Sequence, residues 1–401
     1  MGLYKLINPL KNYAWGSPDF IPRLLGKPFP APEPVAEMWL GAHPQAPSQI
    51  IVEGRSVSLD EFIQREPRSA LGQAAELNGG VLPFLMKVLA AAQPLSIQAH
   101  PSRSLARNGF HREDSLGVPL DSPLRNYKDG NHKPELICAL TPFQALCGFR
   151  PYADVVADFS AAGLDVFFSA FGPLSQHLDQ RSFQRFVLQV LSLAEPLKQE
   201  VLVALDAALE AESALSDGVA GACRLLGRHY PQDSGRLAPL LLNLYHLQPG
   251  EALYIGSGIL HAYLEGAGIE VMANSDNVLR GALTPKHIDL AELARILDFS
   301  PTPAAHIVPV DLAEGIRAYR CPADEFWLRC LEPSLEDIMQ LDTGAMPSIM
   351  LCDRGEVELA DGSASLRLEK GEAAFLTADA GSCTLSGTGR IWLASVPPDQ
   401  N

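Results

Sequence analysis

The sequence predicts a mainly β protein of two related β-barrel or jelly-roll units, the first interrupted by an α-helical insertion. Three observations carry that expectation. Short apolar runs broken by Gly, Pro and Asn fill residues 1–150 and return after 235. Helical periodicity is confined to 151–235. A Gly-Glu turn feeding an apolar strand occurs twice, as Pro249-Gly-Glu-Ala-Leu-Tyr-Ile255 and as Lys370-Gly-Glu-Ala-Ala-Phe-Leu376. With 401 residues, 47% of them apolar and 19% charged, the chain has enough apolar sequence for two or three well-buried domains.

The runs Val81–Ala92, Leu95–Ala99 and Leu136–Leu140 read as strands, and Leu59–Arg65 as a short helix. The texture changes at Pro151. Phe183, Phe186, Val187 and Val190 fall at i, i+3, i+4 and i+7, and Val201, Ala204, Leu205, Ala208 and Leu209 repeat the pattern beyond Pro196. Turn chemistry at 231–235 closes this helical segment. A Pro-Gly turn then leads into the strand ending at Ile255, and Gly256-Ser-Gly258 follows. A short helix around Ile288–Leu297 precedes Pro301, Pro303 and Pro309, which mark a linker. Beyond it lie the short strands Ile349–Cys352, Val357–Leu359, Leu366–Leu368, Ala373–Leu376 and Ile391–Ala394. The expected division is one β unit from 1–150 and 236–300, an insertion at 151–235, and a smaller β unit at 301–401.

The formal net charge of −16 argues against a broad nucleic-acid or anionic-membrane surface. Residues 81–150 run the other way, with eight Lys and Arg against five acids, leaving room for a small anionic ligand. Seven scattered cysteines form no C-x-x-C pair, which fits free thiols in a reducing cytoplasm. No signal peptide, myristoylation signal or membrane-spanning run is evident.

Ser96-Ile-Gln98-Ala-His100-Pro places Gln98 and His100 at i and i+2, on one face of a strand, as two ligands to one ion must be. Asn131-His-Lys-Pro-Glu135 offers a carboxylate, and Gly256-Ser-Gly-Ile-Leu-His261 a second imidazole after a Gly-rich turn. Two His, one Glu and an amide oxygen suit Zn²⁺ and can also accept Mn²⁺, Co²⁺ or Fe²⁺. His43, His111, His177, His229, His246, His287 and His306 show no ligand spacing. No histidine follows His306, so the C-terminal unit has no histidine-based metal site.

Lys11-Asn-Tyr-Ala-Trp-Gly16, Ala36-Glu-Met-Trp-Leu-Gly41, Ser96-Ile-Gln-Ala-His-Pro101, Tyr127-Lys-Asp-Gly-Asn-His-Lys-Pro-Glu135 and Asn274-Ser-Asp-Asn-Val-Leu-Arg-Gly-Ala-Leu-Thr-Pro-Lys286 resemble, in order, segments of type I mannose-6-phosphate isomerases. The resemblance runs to about residue 290. It implies cupin-type jelly rolls with a helical insertion, and one zinc held by Gln98, His100, Glu135 and His261. It also implies interconversion of mannose 6-phosphate and fructose 6-phosphate, by moving a proton between C1 and C2 through an enediol.

Within that reading Arg280 is placed to steady a developing oxyanion. Lys133, His132 and Asp276 are the candidate bases. Ser96, Lys87 and Lys286 are candidate phosphate or sugar contacts, and Trp15, Glu37 and Tyr263 candidate walls of the sugar pocket. The implied partner is a small hexose 6-phosphate, with no nucleic acid and no membrane, on a monomer or weak homo-oligomer. Two rival readings remain: a cupin Fe²⁺ dioxygenase, which leaves Gln98 without a purpose, and a non-catalytic sugar- or metal-binding cupin.

Overall fold

The computed structural model describes residues 2–77, 79–171, 179–211, 215–302, 306–334 and 338–397. It is mainly β, with two large sheets that share a core. In the first, Phe84–Ala91 is buried at every position, because it lies between Glu37–Leu40 and the second half of the long strand His261–Ala273. An apolar run of this length has no solvent face, which is why its sequence does not alternate.

His261–Ala273 serves two parts of this sheet. Its first residues pair with Phe143–Phe149 and, through His261, with Ile97–Ala99; its later residues pair with Phe84–Ala91 and Glu135–Ala139. The corner falls at Gly266, where φ is +124° and a Cβ would come within 2.7 Å of the Pro142 carbonyl oxygen. Glycine is required there both by conformation and by the close approach of backbone. The register shift between Tyr263 and Glu265 belongs to the same bend.

Helices Tyr152–Ala161, Gln180–Leu191, Leu197–Glu210 and Asp217–His229 follow Phe143–Phe149. The side chains of Asp179 and Ser216 cap two of them by accepting from the Ser182 and Val219 amides. Their apolar stripes meet in a cluster of Phe149, Phe159, Phe168, Phe183 and Phe186, which continues into Ile97, Ala99, Leu260 and Ala262. The helical layer therefore backs the strands that carry Gln98 and His261.

The second large sheet runs in the order Leu3–Leu6, Ala373–Leu376, Ser348–Arg354, Arg390–Ser395, Trp327–Leu331, Ile316–Tyr319 and Val310–Ala313. One face packs on a four-stranded sheet around Val357, Leu359, Leu368 and Leu385. Through the other, Tyr319, Phe326, Leu328 and Trp392 join Val88, Leu136 and Ile269 of the first sheet in one continuous core. The expected segment 1–150 thus begins inside the other unit. Leu3–Leu6 pairs antiparallel with Ala373–Leu376, buries Leu3 and Leu6, and places Lys5 Nζ 2.6 Å from Glu372.

The repeated Gly-Glu sequence proves to be one turn used twice. Gly250 and Gly371 have φ of +91° and +89°. The amides of Gln248 and Glu369 donate to the Glu251 and Glu372 carboxylates at 2.8 and 3.0 Å. The two glycine amides donate to Ala139 and Cys352 carbonyls at 2.8 and 2.7 Å.

The helices Leu59–Arg65 and Leu290–Ile296 lie where the sequence leads one to expect them. Arg103–Ser115 is a helix that the sequence reading of 1–150 missed. It has no apolar stripe: its buried residues are Ala106, Gly109 and Glu113, the last accepting from the Asn126 and Tyr127 amides. Of the linker prolines, Pro303 lies outside the described residues.

Candidate metal centre

Strand Ile97–Ala99 lies between His261 and the strand Leu279–Ala282. Gln98 is opposite His261 on one side and Arg280 on the other. Directly opposed residues share a face, so His261, Gln98 and Arg280 form a row across three strands. Glu135 opens the strand Glu135–Ala139, opposite Ile255 and Met272. His100 follows one residue after strand Ile97–Ala99, and its carbonyl accepts from the Gly258 amide at 2.8 Å.

His100, Glu135 and His261 are all buried, and one ligating atom from each lies within 4.8 Å of the others. His100 Nδ1 is 2.7 Å from the Asn277 carbonyl and His261 Nδ1 is 2.9 Å from the Ile259 carbonyl. A carbonyl only accepts, so both Nδ1 atoms carry the proton and both Nε2 atoms present lone pairs. Those lone pairs stand 3.3 and 3.4 Å from the two oxygens of Glu135. His100 Nε2 and Glu135 Oε2 are buried with no hydrogen-bond partner among the described residues. Lone pairs facing a carboxylate in a dry site call for a cation between them, and this donor set fits one divalent metal ion. The Gln98 amide is 3.5 Å from His261 Nε2 and offers its oxygen on turning about its terminal bond.

Burial drives His100 down to a pKa of about 4, which keeps its lone pair available. Burial alone would raise Glu135, but Lys133 and His100 outweigh it and hold the carboxyl well below its ordinary value. Lys133 Nζ is 2.9 Å from Glu135 Oε1 and is itself buried. Lys87 is buried between Glu270, at 2.9 Å, and Glu37, at 3.5 Å, and these two carboxylates outweigh the cost of burial and raise its pKa. Glu37 also accepts from Trp39 Nε1.

Arg280 is half-buried and lowered by burial alone. Lys286 is lowered by burial and by Arg280, and among the described residues neither forms an ion pair. Ser96 is half-buried beside strand Ile97–Ala99, while Trp15 stacks on Tyr13 and Tyr263 packs edge-on against Phe143. His132 Nε2 lies 2.5 Å from Glu325, and Asp276 accepts from Gln45 and faces His43.

Several groups that brace the site lie in the matched segments but are neither candidate ligands nor candidate substrate contacts. Ser275 Oγ donates to Asp129, the Asp276 amide donates to Asp129 at 2.8 Å, and the Asn277 side chain spans the backbone of 128–131. The segments beginning Tyr127 and Asn274 are thus complementary halves of one network, and its Asn277 carbonyl orients His100. Their length was visible in the sequence; their pairing was not. Glu270 and Glu325 carried no local signal at all.

A profile described as "Phosphomannose isomerase type I, catalytic domain" matches residues 3–152. The mannose-6-phosphate isomerase of Salmonella typhimurium is 40% identical over 395 residues, spanning 97% of this chain and 98% of the relative. That of Homo sapiens is 34% identical over 323 residues, 75% of this chain and 74% of the relative. A zinc-bound mannose 6-phosphate isomerase crystal structure superposes with a TM-score of 0.92 at 38% identity, covering 99% of this chain and all of the other. A phosphomannose isomerase variant from Salmonella typhimurium superposes with the same TM-score and coverage.

Proposed function

The chain belongs to the type I mannose-6-phosphate isomerase family of aldose–ketose isomerases, and from that premise we propose that it interconverts mannose 6-phosphate and fructose 6-phosphate by proton transfer between C1 and C2 through an enediol. One observation carries the reading to this chain's own residues: the two imidazole lone pairs and the Glu135 carboxylate that converge with no proton between them. Gln98, His100, Glu135 and His261 would hold one zinc ion. When bound, the ion supplies Lewis-acid stabilisation of negative charge on oxygen.

The remaining work belongs to side chains in reach of that group. Arg280 stands in the same row as Gln98 and His261, so its guanidinium faces the reacting end of a sugar placed there. Arg280 and Lys286 are cations without carboxylate partners among the described residues, and they supply the charge for a phosphate. Lys87 is less suited to phosphate, since Glu37 and Glu270 already pair it. This buried triad instead forms a charged wall, with Trp15 and Tyr263 as apolar neighbours and Ser96 as a hydroxyl contact. Of the candidate bases, Lys133 Nζ faces the ligand group, whereas His132 and Asp276 are engaged by Glu325 and by Gln45. Lys133 Nζ is therefore the proposed carrier of the C1/C2 proton.

The proposed division is a catalytic β unit of 1–150 and 236–300, with Leu3–Leu6 lent to the C-terminal sheet, and the helical insertion behind the site. No described helix is long and apolar enough to cross a membrane, and seven unpaired cysteines support a reducing cytoplasm.

Turnover in D₂O tests the proton step. Deuterium should enter C1 of fructose 6-phosphate, and Lys133→Ala should slow both exchange and turnover by about 10²–10⁴-fold. Isomerisation in the variant at the wild-type rate would remove Lys133 from the mechanism.

A further inference from the structure

We propose that Glu325, which reaches out of the C-terminal β unit, is a positioning residue for this centre: its carboxylate ties together the two segments that carry His100 and Glu135. Arg103 Nη2 and His132 Nε2 both contact the same oxygen, Glu325 Oε1, the histidine at 2.5 Å, and lie 2.8 Å from each other, so the carboxylate completes a three-way contact between the two segments. Arg103 lies three residues beyond His100, and His132 three residues before Glu135. The two segments come from different elements, one leading into helix Arg103–Ser115 and the other into strand Glu135–Ala139. Glu325 joins them at equal remove from the ligands.

The carboxylate is placed by rigid surroundings. Its side chain is only 3% exposed, whereas that of Arg103 is 45% exposed. The next residue, Phe326, is fully buried in the core shared by the two large sheets. Three residues earlier, the Pro322 carbonyl accepts from the Tyr254 hydroxyl at 3.2 Å. Tyr254 pairs with Leu136, and its neighbour Ile255 with Glu135. The loop around Glu325 is thus fastened to the strand edge from which Glu135 projects.

Burying a carboxylate costs solvation that an exposed arginine returns only in part, so simple packing is better served by an apolar side chain. What the carboxylate adds is direction, since two charge-assisted hydrogen bonds to one oxygen fix both donors at once. Partners that orient metal-binding segments in this way typically change metal affinity or activity by about 10- to 100-fold when removed.

The inference rests on the isomerase reading only for its activity arm; the metal-retention arm stands without it. Glu325→Ala and Glu325→Gln would be prepared as full-length zinc-loaded protein, beside wild type. Zinc retention would be read by competition with a chromophoric chelator, and kcat and KM by conversion of mannose 6-phosphate. The expected result is a shift of about 10- to 100-fold in chelator competition for Glu325→Ala, with a matching fall in kcat and a smaller change in KM. Glu325→Gln, which keeps the shape and one acceptor oxygen, should recover part of both. Unchanged zinc retention in both folded variants overturns the proposal, as does lost activity with zinc held as tightly as in wild type. Should Glu325→Ala fail to fold, the glutamine variant is read by the same two criteria. If wild type itself turned over no mannose 6-phosphate, the isomerase reading would fall while the retention arm still decided the role of Glu325.

Discussion

Two imidazoles whose Nδ1 protons are already committed to carbonyls can only accept at Nε2, and Glu135 can only accept as well. Three acceptors buried together repel one another, so the centre gains stability from a cation and loses it when a ligand is cut away. His261→Ala should fall from one zinc per chain to well below one after desalting, measured by elemental analysis. A variant that kept one tightly bound zinc would remove His261 from the set. Arg280→Ala should cost about 1.5–3 kcal/mol, or roughly 10- to 150-fold in kcat/KM, because a charged donor to substrate is lost. An unchanged kcat/KM would place Arg280 outside the site. The spacing of Gln98 and His100 can be read from the sequence, although the strand ends at Ala99 and His100 follows it. Glu325 was not legible, because it reaches the site from about 190 residues further along the chain and no local pattern records such a meeting.

Elements show the same division between local and distant causes. The Gly-Glu turns could be read from sequence because each rests on its own glycine and its own glutamate. Gly250→Ala and Gly371→Ala should each cost about 1–3 kcal/mol from the positive φ. The second should cost more, since its Cβ would meet the Leu24 carbonyl oxygen at 2.6 Å, whereas nothing at Gly250 comes closer than 3.9 Å. Equal losses in denaturant unfolding would contradict that packing. Helix Arg103–Ser115 escaped detection because its buried positions are satisfied by a glycine against an aromatic ring and by a glutamate accepting from backbone. At Gly109 a Cβ would lie 2.3 Å from the Tyr127 ring. Gly109→Ala should therefore destabilise by about 1–3 kcal/mol through overpacking, although alanine is the better helix former.

On the scale of the whole molecule, the two large sheets share one core, and the N-terminal strand closes the C-terminal sheet. The composition and strand spacing made two β units and a helical insertion legible. That Leu3–Leu6 crosses to the far unit was hidden, because pairing between chain ends leaves no periodic trace. Calorimetry of the whole chain should show the two β units unfolding in a single transition, since one core cluster spans both large sheets. Two resolved transitions, one matching an isolated 301–401 fragment, would contradict the shared core. Isomerisation should depend on a metal ion held by Gln98, His100, Glu135 and His261. Fructose 6-phosphate formed from mannose 6-phosphate should be followed with the same preparation stripped by chelator and then given one equivalent of zinc. Turnover should vanish on stripping and return with zinc; full turnover in verified metal-free protein would rule the metal out.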